Sequence, residues 1–146
     1  ATKNHIILRT SWLYSSYGNN FVKSMLRLFK ERDELKIVYD QTGSPTYARD
    51  LAQIIMHIIS LGKDGFVPGI YHFSNEGVTS CYDFALEILS QTPFSCNILP
   101  IETKDYPLPA PRPHFSVMSK DKLKQTFSIE IPHWKDSLRE CLSQIK

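Results

Sequence analysis

Short apolar runs alternate with helical stripes along the chain, and this alternation restricts the fold to an α/β arrangement. Residues 6–8 (IIL) read as a strand buried on both faces. Phe21, Met25, Leu28 and Phe29 then fall on one helical stripe, with Asn19 or Asn20 placed to cap it. Residues 35–39 read as a second strand. The run 40–46 (DQTGSPT) reads as a loop on its Gly, Pro and Asp content, and Thr46 can cap the next helix. That helix carries the stripe Leu51, Ile54, Ile55, Ile58 and Ile59.

A turn region, 62–68, leads to a third strand, 69–73. Ser80 followed by Asp83 has the form of a capping box, opening a helix that buries Phe84, Ile88 and Leu89. Residues 97–101 make a fourth strand. Prolines 107, 109, 111 and 113 keep the stretch 106–113 extended, since each fixes its own φ and disfavours helix in the residue before it. Ser119 can cap a short helix through Phe127, and Trp134, Leu138, Cys141, Leu142 and Ile145 mark a last amphipathic helix. Four strands are fewer than the roughly five or six of a doubly wound sheet. The expected architecture is therefore the edge of a Rossmann-like parallel sheet plus a small α/β lobe.

Composition narrows the function classes. The 146 residues suit one domain, and 42% apolar with 22% charged residues is ordinary for a globular protein. The net charge of +2 is scattered. Lys120, Lys122 and Lys124 read as a solvated helix face, so no nucleic-acid partner is expected. No apolar run approaches a membrane span, and no membrane partner is expected. Cys81, Cys96 and Cys141 are odd in number and contain no C-x-x-C pair, which points to free thiols in a reducing cytoplasm. The opening ATKNH is no signal peptide, and the start just before a strand suggests a piece of a longer protein.

Several catalytic signatures are absent from the sequence. The six glycines form no G-x-G-x-x-G or G-x-x-G-x-x-G turn and no phosphate-binding P-loop. None of the seven tyrosines has a lysine four residues on, and there is no G-x-S-x-G elbow. The five histidines lack metal-ligand spacing, and His72 reads as structural. No complete catalytic set stands in these residues, and no metal site is expected.

Three segments stand out. Residues 9–14 (RTSWLY) place polar and aromatic groups directly after a strand, where ligands of open α/β sheets sit. Trp12 there can face a sugar ring or cover the sheet end as core. The loop 40–46 can hold a phosphate on its amides and hydroxyls, or serve as a plain turn and cap. Arg112, on the stiff stretch around Pro111 and Pro113, can bind phosphate or stand free on the surface.

These segments together resemble the dTDP-4-dehydrorhamnose reductase family. LRTSWLY (8–14) and GNNFV (18–22) look like the segment that follows its Tyr-x-x-x-Lys helix, and DQTGSPT (40–46) matches its D-Q-x-G-S/A-P-T. GIYH (69–72), SCYDFA (80–85), R-P-x-x-S from Arg112 to Ser116, and W-x-x-x-L from Trp134 follow in colinear order. The resemblance implies the C-terminal, substrate-binding portion, residues 1–146, of an extended short-chain reductase whose N-terminal Rossmann half is absent here. Such enzymes reduce the C4 ketone of dTDP-6-deoxy-L-lyxo-4-hexulose with NADPH or NADH, giving dTDP-L-rhamnose.

It further implies that Trp12 lies near the sugar, with Thr10 and Ser11 beside the nicotinamide end. Asn20, Phe21, Arg112 and the loop Gln41, Gly43, Ser44, Pro45, Thr46 would line a cleft for a dTDP-sugar. Cys81 stands where an aromatic residue is common, a change expected to touch packing only. With the Tyr/Lys pair absent, the chain alone is expected to be inactive and to hold no nicotinamide tightly. A homodimer is compatible with the resemblance. A different class also fits, a non-catalytic binding protein similar to the regulatory subunit of methionine adenosyltransferase, although Trp12 and the DQTG run favour the reductase. A third reading is another nucleotide-sugar reductase or epimerase of the superfamily.

Overall fold

The computed structural model describes residues 4–107 and 109–145; the opening residues 1–3, Leu108 of the proline-rich stretch and Lys146 lie outside the described residues. Strand β1 (Ile6–Thr10) is followed by β2 (Leu13–Tyr14), α1 (Phe21–Glu31), β3 (Glu34–Val38), β4 (Thr42–Gly43) and β5 (Thr46–Tyr47). Then come α2 (Ala48–Ser60), β6 (Gly69–Phe73), β7 (Thr79–Ser80), α3 (Cys81–Ser90) and β8 (Asn97–Ile101). A 3-10 turn (Thr103–Asp105), α4 (Asp121–Phe127) and α5 (Trp134–Ser143) complete the order. Among the described residues no helix is long and apolar enough to cross a membrane.

Two parallel pairs build the framework. β1 runs beside β6 in the register Ile6↔Gly69 to Thr10↔Phe73, and β3 runs beside β8 from Glu34↔Asn97 to Val38↔Ile101. Each pair anchors its own core. Ile54 and Ile58 of α2 pack with Tyr71 and Phe73 of β6 and with Leu123 and Phe127 of α4. Val22, Met25 and Phe29 of α1 pack with Phe84 and Ile88 of α3, Leu35 and Ile98, and Trp134 and Leu138 of α5. The two-residue pairs β2–β5, parallel, and β4–β7, antiparallel, complete the pairing, and Tyr14 of β2 and Tyr47 of β5 belong to the second of these cores. This is the α/β arrangement expected, with a Rossmann-like parallel pair and a smaller lobe.

The local signals act largely as their chemistry requires. Asn20 caps α1 by accepting from the Lys23 amide at 3.2 Å. The Ser80 hydroxyl accepts from the Asp83 amide at 2.9 Å and donates to the Asp83 carboxylate at 2.5 Å, a cap of roughly 1 kcal/mol. A buried polar network joins the helices. Asn75 accepts from the Tyr47 amide and donates to Asp50 of α2 and Ser137 of α5, and Ser137 also donates to Asp50.

Four expectations are corrected. β1 is not buried on both faces: Ile6 and Leu8 meet the α2–α4 core, whereas Ile7, 44% exposed, points away. Among the described residues β1 has a strand neighbour only in β6, so one face and one edge stay open. Thr46 does not cap α2, because it is spent in β5; Tyr47 takes the cap position without a side-chain bond. Lys120, not Ser119, is the cap residue of α4, and Ser119 reaches the Asp121 amide only at 3.4 Å. The α2 stripe is narrower than its sequence suggests, with Ile54 and Ile58 buried but Ile55 and Ile59 exposed.

Candidate ligand-binding cleft

Where β1 ends, the chain turns sharply and is bonded to the 44–46 segment by three consecutive residues. The Thr10 hydroxyl donates to the Thr46 hydroxyl at 3.0 Å, the Ser11 hydroxyl to the Ser44 carbonyl at 3.3 Å, and the Thr46 amide to the Trp12 carbonyl at 3.1 Å. Trp12 is thereby held at φ +48°, a left-handed conformation that costs a bulky residue about 1–2 kcal/mol. Such strain persists only where the surroundings over-determine it, and it is concentrated at functional sites. The turn lays the indole on Gly43 of β4. A Cβ at that glycine would sit 2.6 Å from Trp12 Cε2 and 2.7 Å from Ser116 Oγ, so this contact requires glycine.

The indole forms one wall of a cavity of about 250 Å³. Phe21 and Phe84, stacked at 5.6 Å, line it, and Gln41, Cys81 and Arg112 close the other side. A second cavity of about 700 Å³ opens between α1 and β3 and shares Phe21, Gln41, Cys81 and Arg112 with the first. A third, about 210 Å³, lies under the proline-rich strap and again includes Gln41 and Arg112. Together they form a cleft with an aromatic, largely apolar end; Arg112 is the cation common to all three cavities, with Arg32 and Lys36 lining the second and Lys104 the third.

Arg112 is exposed, and among the described residues its guanidinium makes no hydrogen bond or ion pair. Burial pushes the nearby Cys81 thiol up to about 11, against the opposing pull of Arg112 and with the Asp40 charge adding to the rise. At neutral pH Cys81 is therefore a neutral wall of the cleft.

The structure brings together Trp12, Phe21, Gln41 and Arg112 of the residues singled out from the sequence, with Gly43 beneath the indole. It places the others elsewhere. Asn20 spends its side chain on the α1 cap and on the carbonyls of Ser15 and Tyr17. Ser44, Pro45 and Thr46 are buried, the Ser44 hydroxyl donating to Gly77 O at 2.7 Å and the Pro45 carbonyl accepting from the Asn75 amide. The Thr42 amide donates to His114 O. These groups of the 40–46 loop are engaged within the fold. Thr10 and Ser11 stand at the carboxyl end of β1 with their hydroxyls donated to the same loop.

Five lining residues were not among those singled out: Leu13, Cys81, Phe84, Pro113 and Ser116. Cys81 lines the cavities of about 250 and 700 Å³. Ser116 had a signal in the R-P-x-x-S spacing. Phe84 read as core because it is both core and cleft floor, which periodicity cannot separate.

A family model described as the RmlD substrate binding domain matches residues 1–146. The chain belongs to this family. Its relatives include the spore coat polysaccharide biosynthesis protein SpsK of Bacillus subtilis (strain 168), 41% identical over 98% of this chain and 48% of that protein. The dTDP-4-dehydrorhamnose reductase of Escherichia coli (strain K12) is 40% identical over 97% of this chain and 50% of its own length. Among solved structures, the dTDP-4-dehydrorhamnose reductase of Bacillus anthracis str. Ames in complex with NADP superposes with a TM-score of 0.89 at 40% identity, over 95% of this chain and 48% of that one. The RmlD-type chain described here thus spans about half the length of the relatives it matches. The family resemblance carried by the colinear motifs holds along its whole length.

Proposed function

We propose that this chain is the substrate-binding half of a nicotinamide-dependent reductase. Its substrate would be the C4 ketone of a dTDP-linked 6-deoxyhexulose, and its product dTDP-L-rhamnose. The observation that carries the reading is the Arg112 side chain, without a hydrogen bond or ion pair among the described residues, lining one cavity with Trp12 and Phe21. A guanidinium fork suits the paired oxygens of a diphosphate, and an indole face suits the apolar side of a hexose. In this reading the diphosphate contact and the hexose contact fall within one cleft.

In this reading Arg112 holds the diphosphate, Trp12 fixes the hexose ring, and the cleft around Phe21 and Gln41 receives the rest of the ligand. Thr10 and Ser11 mark the end of β1 nearest the nicotinamide. The residues present do not themselves build a nicotinamide site, since the chain has no glycine-rich turn and both hydroxyls are already donated. The nicotinamide supplies the hydride when bound, and a cofactor-binding half would hold it. That half has a surface to pack on. Among the described residues β1 has an open edge, Ile7 and Ile70 are exposed, and a cavity of about 660 Å³ is walled by Ile6, Leu8, Ile55, Ile59 and Phe66. Positioning by this chain then matters to rate as well as affinity, because misplacing the ring by about 1 Å can cost roughly 100-fold.

The test is calorimetry on the intact protein with dTDP and with thymidine. Arg112→Ala is expected to weaken dTDP by roughly 1.5–3 kcal/mol, the scale of a hydrogen bond to a charged group, and to leave thymidine unchanged. Arg112→Lys should recover only part, since an ammonium cannot bind in bidentate fashion. Equal losses for both ligands would make Arg112 a loop-shaping residue, and no loss for either would make it a surface arginine. The 146-residue chain alone should show no turnover of the ketosugar with NADPH, and clear turnover would refute the assignment of the cofactor to another half.

A further inference from the structure

The strap that carries Arg112 is held at both feet by three consecutive residues, Asp40, Gln41 and Thr42. At the first foot the Asp40 carboxylate accepts from the Thr103 amide at 2.9 Å and from its hydroxyl at 2.7 Å. Gln41 Nε2 donates to the same hydroxyl at 3.1 Å. At the second foot the Thr42 amide donates to His114 O at 2.7 Å, and the Ser116 amide donates to Thr42 O at 2.9 Å. His114 Nδ1 also lies 3.0 Å from the Asp40 carbonyl and 3.4 Å from its carboxylate. Between the feet, residues 104–107 and 109–113 are all exposed. The strap has little surface to rest on, so its feet and its prolines set its position.

We infer that Asp40, Gln41 and Thr42 form a clamp that positions Arg112 over the cleft, with Asp40 a positioning residue acting on the ligand only through that guanidinium. The inference rests on the reading that Arg112 meets a diphosphate. Its physical basis is preorganisation. A loop whose two ends are pinned, and whose interior is stiffened by prolines, loses less conformational freedom on binding than a free one. Asp40 is suited to the task because one residue reaches both feet. Burial would raise its carboxyl, but the bonds from Thr103 and the neighbouring His114 outweigh it and hold the group below the usual carboxylate range. The clamp residue is therefore ionised at neutral pH. In this account Asp40 and Thr42 serve the ligand by holding the arginine that contacts it, while Gln41 also lines the cleft.

A double-mutant cycle tests this, with dTDP and thymidine titrated into the intact protein. Asp40→Ala should weaken dTDP at least five-fold and leave thymidine unchanged. In an Arg112→Ala background the same substitution should cause no further loss of dTDP affinity. Thr103→Val, which removes the hydroxyl's bonds to Asp40 and Gln41 but keeps the Thr103 amide on Asp40 and the Asp40–His114 contact, should show the same pattern at smaller size, and it carries the test if Asp40→Ala does not fold. A loss that adds fully to that of Arg112→Ala, or that strikes thymidine equally, would overturn the clamp. If Arg112→Ala alone leaves dTDP affinity intact, the diphosphate reading fails first, and the clamp falls with it.

Discussion

Gly43→Ala adds one methyl group at the point where the cleft wall is supported. The new Cβ would lie 2.6 and 2.8 Å from the indole carbons Cε2 and Cζ2 of Trp12 and 2.7 Å from Ser116 Oγ. Comfortable carbon contacts begin near 3.5 Å, so the ring must retreat by roughly 0.8 Å. It has little freedom to do so. The Trp12 carbonyl is bonded to the Thr46 amide, and the next two residues pair with Thr46 and Tyr47. Ser116 is bonded through both its amide and its hydroxyl to Thr42 O. Overpacking of this kind costs about 1–3 kcal/mol. At roughly 3 °C per kcal/mol for a chain of this size, thermal unfolding should fall by about 3–10 °C. The ring that moves is the cleft wall, so affinity for a dTDP-sugar should fall too. Trp12→Ala removes the obstacle. In that background Gly43→Ala should cost far less, a coupling of about 1 kcal/mol or more. Melting curves and calorimetry on the four proteins of the cycle measure both effects. A Gly43→Ala protein with unchanged melting temperature and unchanged affinity would show that the indole does not rest on this glycine.

Two further outcomes follow from the same geometry. Asn75→Ala strips partners from Asp50, Ser137 and the Tyr47 amide at once, so stability should drop by roughly 2–4 kcal/mol, read by denaturant unfolding; a loss under about 0.5 kcal/mol would remove the network from the account. The Cys81 thiol, pushed up to about 11, reacts as the thiolate, so its alkylation should be slow at pH 7 and rise about tenfold per pH unit toward pH 11. Arg112→Ala takes away the opposing charge and should slow the labelling further, while saturating dTDP should shield the thiol. Rapid labelling at pH 7 without protection by dTDP would place Cys81 outside the cleft.

Much of the frame was legible in the chain itself, because long elements carry a period. The strands at 69–73 and 97–101 and the helix behind the Ser80–Asp83 box stand where their patterns put them. The DQTGSPT run was not legible in the same way. It contains β4 and β5, two residues each, and neither is long enough to show an alternation. The burial of β1 was misread because an apolar triplet cannot say which of its faces has a neighbour. At the cleft, Trp12 and Arg112 were recognisable by chemistry and position. The engagement of Ser44 and Thr46 was not, since it depends on contacts with Gly77 and Thr10, more than 30 positions away in either direction.

The cleft as a nucleotide-sugar site is tested most directly by a crystal structure of the intact protein with dTDP-L-rhamnose. The account requires the hexose against the Trp12 indole and the diphosphate within hydrogen-bonding distance of the Arg112 guanidinium. A nucleotide bound elsewhere with this cleft empty, or a diphosphate that leaves Arg112 in solvent, would contradict it.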